Sequence, residues 1–344
     1  MVLKGYDFII ITLQTDEGVE GLGYVVTPGY GTASIYSIIK DELCPLLINQ
    51  DPFLPEYIWE QMWKRIAFLG QSGMAIFGLA ALDMCLWDII GKACNQPLYK
   101  ILGAYSNCLP VYASGGWLSY TREELINEIV GYIQAGYNSI KIKIGFQDPE
   151  EDFDRIKAVK KVVGEKIQIM VDANQRWTAS EAIKIGKKLQ DLGVIWFEEP
   201  VSTNDLEKQI EVTRALDISI AAGESLYTLR DFKNIIINRA VDVLQINYFR
   251  SGGITEWRKI AALAKAFYLP ISSQSNMEIQ VHLMASIPNS LIIENHMVLS
   301  KYMARIFEGL PQVKNNCVKP LDIPGIGLNL LPEIKKDTKV TIKN

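Results

Sequence analysis

Three short apolar runs in this sequence each close on a carboxylate, at a repeated interval. Residues 167–172 read Ile-Gln-Ile-Met-Val-Asp, residues 194–198 Val-Ile-Trp-Phe-Glu, and residues 218–224 Ile-Ser-Ile-Ala-Ala-Gly-Glu. Asp172 and Glu198, and then Glu198 and Glu224, are each 26 positions apart. A strand, a helix and two loops need about that much chain. The interval therefore predicts one carboxylate at the C-terminal end of each of three successive parallel strands. Three converging carboxylates repel one another and cannot all stay ionised without a cation between them. Ligands that are all oxygen suit a hard ion, with Mg2+ first.

One unit earlier comes Ser139-Ile140-Lys141-Ile142-Lys143-Ile144-Gly145. Residues i and i+2 share a strand face, so Lys141 and Lys143 point the same way, opposite to the isoleucines. Two ammonium groups this close make each other easier to deprotonate. A lysine beside a bound carboxylate can then serve as a general base near neutral pH. A solvated edge strand carrying two surface lysines is the plain alternative.

The elements that must position these groups follow from the rest of the pattern. The chain has 344 residues, 49% hydrophobic and 22% charged, enough for one large domain and a smaller one. A net charge of −4 gives no reason to expect a nucleic-acid partner. No run of about 18 apolar residues predicts a membrane span, and no signal-peptide pattern opens the chain. The five cysteines, Cys44, Cys85, Cys94, Cys108 and Cys317, are scattered without a paired motif. They are expected to be reduced thiols in a cytoplasmic protein.

Residues 8–14 and 19–26 flank Thr15-Asp16-Glu17-Gly18, a hairpin signature. Residues 32–48, 55–68 and 73–91 follow as helices. Residues 1–109 thus predict an α+β unit. From Val111 strands and helices alternate. Capping patterns begin at Thr121, Thr178 and Asn204, and further strands fall at 241–247, 270–273 and 290–294. Eight strand–helix units over residues 110–310 predict a (β/α)8 barrel with its active site at the strand C-termini. A doubly wound open sheet is the alternative, although it would not need carboxylates on three neighbouring strands. The tail, 311–344, is expected to pack back on the first unit through Gly325-Ile326-Gly327-Leu328.

With these residues in hand, the chain resembles the enolase superfamily, in its mandelate racemase-like branch, over nearly its whole length. The segment from Ala80 to Ala93 resembles the helix of that family's capping domain. The Lys-x-Lys strand, Val171-Asp172-Ala173-Asn174, Phe197-Glu198-Glu199-Pro200, Gly223-Glu224 and Gly252-Gly253-Ile254-Thr255 appear in family order. The resemblance implies that Asp172, Glu198 and Glu224 bind Mg2+, that Lys143 is the base and that Lys141 neutralises the substrate carboxylate. It further implies that Glu294 hydrogen-bonds the other carboxylate oxygen, for which it is expected to be protonated; a rim salt bridge is the alternative. Asn174 and Glu199 are expected to support the ligands rather than bind the ion, and Arg250 to face the rim. A Lys or His base with Mg2+ stabilising an enediolate is a known property of this superfamily.

The departures shape the functional expectation. The family's usual Asp after the sixth strand and His after the seventh, a base for the opposite face, are replaced by Asn247 and Gln274, and amides cannot take a proton. Of the two histidines, His282 falls in a predicted helix and is expected to be structural; His296 is a minor candidate for the mouth. A one-sided reaction is therefore expected: dehydration of a sugar acid to a 2-keto-3-deoxy acid. The alternatives are a catalytically impaired metal- and sugar-acid-binding relative, which a short substrate-covering N-terminus would suit, and a racemase or cycloisomerase of the same fold. The resemblance also implies a homo-oligomer.

Overall fold

The computed structural model describes residues 5–335. Its first element is the expected hairpin. β1 (Asp7–Gln14) pairs antiparallel with β2 (Glu20–Thr27), from Asp7 opposite Thr27 to Gln14 opposite Glu20. The helix expected over 32–48 is split. α1 (Thr32–Ser37) runs into a π turn over Ile38–Leu43 and a 3-10 turn over Cys44–Leu46. Pro45 has no N–H to continue the ladder. α2 (Pro55–Arg65) opens on a proline at its first helical position, where the missing N–H costs nothing. α3 (Met74–Ala93) is buried on nearly every side, the pattern of a core helix. Among the described residues it is the one helix long and apolar enough to cross a membrane, and 89% of that window is buried within the fold. α4 (Leu98–Ile101) leads into the barrel.

Eight parallel strands follow: β3 (Leu109–Gly115), β4 (Ser139–Lys143), β5 (Gln168–Asp172), β6 (Trp196–Glu198), β7 (Ser219–Ala222), β8 (Val243–Asn247), β9 (Ile271–Gln274) and β10 (Ser290–His296). Each pairs with the next, and β10 pairs back onto β3, so the sheet closes. Around it lie α5 (Arg122–Gln134), α6 (Pro149–Val163), α7 (Ala179–Asp191), α8 (Leu206–Ala215) and α9 (Thr228–Ile237). The short α10 (Tyr248–Ser251), α11 (Ile254–Ala266), α12 (Met277–Ala285) and α13 (Met297–Met303) complete the ring. The capping boxes at Thr121 with Glu124 and Thr178 with Glu181 both form. The third cap falls on Asp205, which accepts from the Lys208 N–H, rather than on Asn204. Asp205 sits directly before the first helical residue, where a side-chain oxygen reaches the orphan N–H groups.

Strand alternation builds the interior in layers. Tyr112, Met170, Trp196, Ala221, Val243 and Ile292 form a buried apolar plug inside the sheet. Two positions on, toward the strand C-termini, the same inward faces carry Ser114, Asp172, Glu198, Gln245 and Glu294. The plug is thus the floor on which the polar groups stand.

Buried polar groups tie the hairpin and α3 to the barrel. Asp83 on α3 accepts from the Thr255 backbone N–H at 3.0 Å and from its hydroxyl at 2.6 Å. Gly253 (φ +92°) is required at that contact, because a Cβ there would lie 2.5 Å from Asp83 Oδ2. Asp88 accepts from Leu22 N–H and Ile326 N–H, both at 2.8 Å, and a Cβ on Gly325 would meet its Oδ1 at 2.1 Å.

His282 holds the same junction. Its Nδ1 accepts from Tyr99 N–H at 3.3 Å, and Nε2 lies 3.1 Å from the Ile326 carbonyl. Burial holds its pKa down to about 4, against an ordinary 6.5. The unfolded chain therefore binds this proton more readily between those values, so His282 adds stability in full above about pH 6.5 and loses it as pH falls toward 4. The difference corresponds to about 3 kcal/mol. Asp83, pushed up to about 7 by burial, acts with the opposite sign over much of the same window. The expected result is therefore a difference between variants: denaturant midpoints of His282→Gln fall less between pH 6.5 and 4 than those of the parent. Parallel curves would contradict this role.

The expectation of five reduced thiols is corrected. Cys108 and Cys317, 209 residues apart in sequence, are joined as a disulfide with Cα atoms 5.8 Å apart. Cys317 and Val318 pair antiparallel with Pro110 and Leu109 at the start of β3, which brings the two thiols together. Cys44, Cys85 and Cys94 are free.

Candidate active site

The three carboxylates predicted from the 26-residue interval converge: Asp172, Glu198 and Glu224 each offer an oxygen within 4.8 Å of the others. Asp172 and Glu198 lie opposite each other in the β5–β6 register. Glu224 follows β7 past Gly223 (φ +132°), where a Cβ would come within 2.6 Å of the Gln245 carbonyl. Positive φ at Asn174, Gln175, Glu199, Ser275 and Asn276 clusters in the loops beyond β5, β6 and β9. Strain of this kind collects where surrounding contacts fix a working geometry.

Both lysines reach the cluster. Lys141, 1% exposed, places Nζ 2.8 and 2.7 Å from the two Glu198 oxygens, 2.9 Å from Glu294 Oε1 and 3.9 Å from Asp172 Oδ2. Lys143 pairs with Asp172. Their mutual repulsion does not set their charge, contrary to the sequence expectation. Burial favours deprotonation of both, and the Lys141 charge favours that of Lys143, but the carboxylates outweigh these effects, and the pKa of each lysine is raised. Glu294 is also corrected. Burial alone would push it up, but the Lys141 ammonium outweighs burial and holds it at about 2. It is an ionised partner of Lys141 rather than a protonated donor, and it also accepts from Ser275 N–H at 2.7 Å.

The remaining acids show unbalanced negative charge. Burial and Asp172 raise Glu198 well above the ordinary range. Burial, then Glu199 and Asp172, push Glu224 to about 8. Burial and Asp172 raise Glu199 as well. Two ammonium groups do not offset this many buried carboxylates. A donor set of oxygens only, in mutual reach and carrying excess charge, fits a hard divalent cation.

The expected supporting residues take up distinct places. Asn174 donates its backbone N–H to Asp172 Oδ1 at 2.8 Å. Glu199 Oε2 accepts from Gln175 Nε2 at 3.0 Å. Asn247 and Gln274 end adjacent strands in register and bond to each other, Asn247 Nδ2 to Gln274 Oε1 at 2.5 Å. Arg250 lies over the Tyr227 ring, and its charge reaches Glu199. His282 is remote from the cluster, as its helical pattern implied.

Three residues were missed in the sequence, and a fourth, His296, was only a minor candidate there. Gln245 donates from Nε2 to Glu198 Oε2 at 3.1 Å and to the Tyr112 hydroxyl at 3.2 Å. Trp117, just past β3, carries the Lys143 ammonium 5.6 Å over its ring and lies 5.7 Å from the His296 ring. Tyr6 feels the charges of Lys143 and Glu294. His296 belongs to the mouth. The signal for Gln245 and His296 was parity: each shares a strand face with a residue already singled out, Asn247 and Glu294 respectively.

Comparison with known proteins agrees with this geometry. Residues 124–334 match the enolase C-terminal domain-like family, and residues 3–103 match the mandelate racemase/muconate lactonizing enzyme N-terminal domain. The chain is 34% identical over 340 residues to an arabinonate dehydratase of Saccharolobus solfataricus, covering 97% of this chain and 91% of the relative. It is 33% identical over 329 residues to a 3,6-anhydro-alpha-L-galactonate cycloisomerase of Streptomyces coelicolor, covering 95% and 90%. The structure superposes with a TM-score of 0.92 on L-talarate/galactarate dehydratase from Salmonella typhimurium, liganded with Mg and L-lyxarohydroxamate. That pair is 30% identical and covers 97% of this chain and 85% of the other.

Proposed function

Because the chain belongs to the mandelate racemase/muconate lactonizing enzyme family of the enolase superfamily, we propose that it is a sugar-acid dehydratase that removes the proton α to a carboxylate. The observation that carries this reading is the one-sidedness of the mouth. Amines stand on β4, whereas the facing positions on β8 and β9 hold Asn247 and Gln274, bonded to each other. Neither amide can accept a proton, so exchange of configuration, which needs a base on each face, is disfavoured. Elimination needs only one.

Lys143 is the base. Lys141 sets a fixed positive charge beside the substrate carboxylate, where the second negative charge develops as the α-proton leaves. Lys143 then returns that proton to the β-hydroxyl as the carbon–oxygen bond breaks, so that water departs and the enol product becomes the 2-keto-3-deoxy acid. Mg2+, held by Asp172, Glu198 and Glu224, would supply positive charge at the same carboxylate oxygens and take over the Asp172 charge that otherwise keeps Lys143 protonated. Gln245 keeps Glu198 oriented, and Asn174 keeps Asp172 oriented.

Incubation with a panel of aldonic and aldaric acids and Mg2+ tests the reading. A 2-keto product from at least one acid is expected. The hydrogen-bonded amide pair also favours a second reading, a binder of metal and sugar acid; thermal stabilisation by an acid with no turnover across the panel would select it.

A further inference from the structure

His296 is a histidine at the mouth with no part in the steps above. It ends β10 on the same face as Glu294 and opposite Ser114 of β3, which in turn lies opposite Lys141 of β4. The imidazole therefore stands between the two walls: β10 is hydrogen-bonded on one side to β9, which ends on Gln274, and on the other to β3, the neighbour of the lysine strand β4. Two contacts fix its ring. Its Nδ1 accepts the Leu299 backbone N–H at 3.1 Å and so caps α13, and its ring lies 5.7 Å from that of Trp117.

The cap decides the tautomer. A ring nitrogen that accepts a backbone N–H cannot carry a proton, so the proton of the neutral imidazole sits on Nε2. A second proton would break the cap, and burial together with the Lys143 and Lys141 charges opposes it, outweighing the Glu294 carboxylate that favours it. Among the described residues no hydrogen-bond partner occupies Nε2. A fixed N–H donor thus stands beside Lys143 with its own partner still to be supplied. A neutral imidazole of this kind gives up no proton; it holds an oxygen in place.

We propose that His296 is a specificity-determining residue whose Nε2–H donates to a hydroxyl of the bound acid, next to the carbon that Lys143 deprotonates. This rests on the sugar-acid reading of the site. The ligand class it selects is a hydroxylated carboxylic acid over an unsubstituted one, with the Trp117 ring against the carbon chain.

Two variants separate this role from a structural one. Asn at this position keeps a side-chain acceptor for the Leu299 N–H, a favoured cap, but cannot reach with an Nε2–H; Gln returns an N–H donor at nearly that position. Affinity is read by calorimetry with Mg2+ present, using arabinonate and galactarate as hydroxylated probes and succinate as a probe without hydroxyls. His296→Asn is expected to weaken the better hydroxylated probe by about tenfold to a hundredfold, the loss of one well-placed hydrogen bond, and to leave succinate unchanged. His296→Gln is expected to recover part of the loss. Equal weakening of all probes, or none, would overturn the proposal.

A second readout needs no turnover. With only two histidines in the chain, imidazole nitrogen NMR assigns each ring, and His296 is expected as the neutral Nε2–H tautomer whose Nε2 signal moves when the probe binds. An Nδ1–H tautomer, or a still signal with a bound probe, would refute it. Binding with these signatures but without dehydration would leave the His296 assignment standing while the dehydratase reading fails. Failure of every probe to bind would count against both.

Discussion

Lys143→Ala lowers turnover of any acid that this protein dehydrates by about a thousandfold or more, within the range a positioned general base contributes. The loss falls on kcat, because Lys143 acts on the departing proton whereas Lys141, with its contacts to Glu198 and Glu294, remains to meet the substrate carboxylate. Metal affinity does not fall with it. Lys143 is the ammonium paired with Asp172, and its removal leaves that carboxylate with more uncompensated charge for a cation. Turnover lost together with Mg2+ binding would mean that the residue supports the metal site instead. Unchanged turnover would mean that the base is another group. Lys143→Arg is expected to be as impaired as Lys143→Ala, since a guanidinium does not give up its proton.

Glu224→Gln is expected to cross over with its parent in stability. Burial, Glu199 and Asp172 push Glu224 to about 8, so ionisation of this side chain works against the fold near neutral pH. A neutral amide removes that repulsion, and with chelator present the variant melts above the parent. With Mg2+ in excess the order reverses. A cation at a hundred times its dissociation constant adds about 2.7 kcal/mol to the parent, and a site missing one of three carboxylates loses most of that gain. Activity of the variant is expected to fall to background in both conditions. Thermal melts with and without Mg2+ decide the matter. Identical Mg2+ shifts in the two proteins would show that Glu224 does not touch the ion.

Much of this site was legible in the sequence because its chemistry coincides with periodic structure. A carboxylate at the end of a parallel strand is fixed by the strand–helix repeat, so a constant interval located Asp172, Glu198 and Glu224. The alternation of Lys141 and Lys143 fixed their common face for the same reason. Protonation states were not legible. Glu294 stands among acids in the sequence, but in space it is ion-paired with the Lys141 ammonium, contributed by a strand more than a hundred residues earlier. Gln245 could have been found by strand parity, since it sits two residues from Asn247, but an amide advertises no role by type alone; the same parity beside Glu294 made His296 a candidate, though only a minor one. The Cys108–Cys317 bridge had no local signal, because the strand pair that forms it joins the beginning of the barrel to the tail. The break at Pro45 was written plainly and was overridden by the apolar pattern around it.

The α-proton of candidate acids, followed by proton NMR in heavy water with Mg2+, tests the central claim most directly. The account predicts loss of the α-proton signal from one configuration of an active acid, appearance of a 2-keto-3-deoxy product, and neither event with Lys143→Ala. Appearance of the α-epimer would contradict it, because a mouth with an amine on one side and amides on the other cannot deliver a proton to the opposite face.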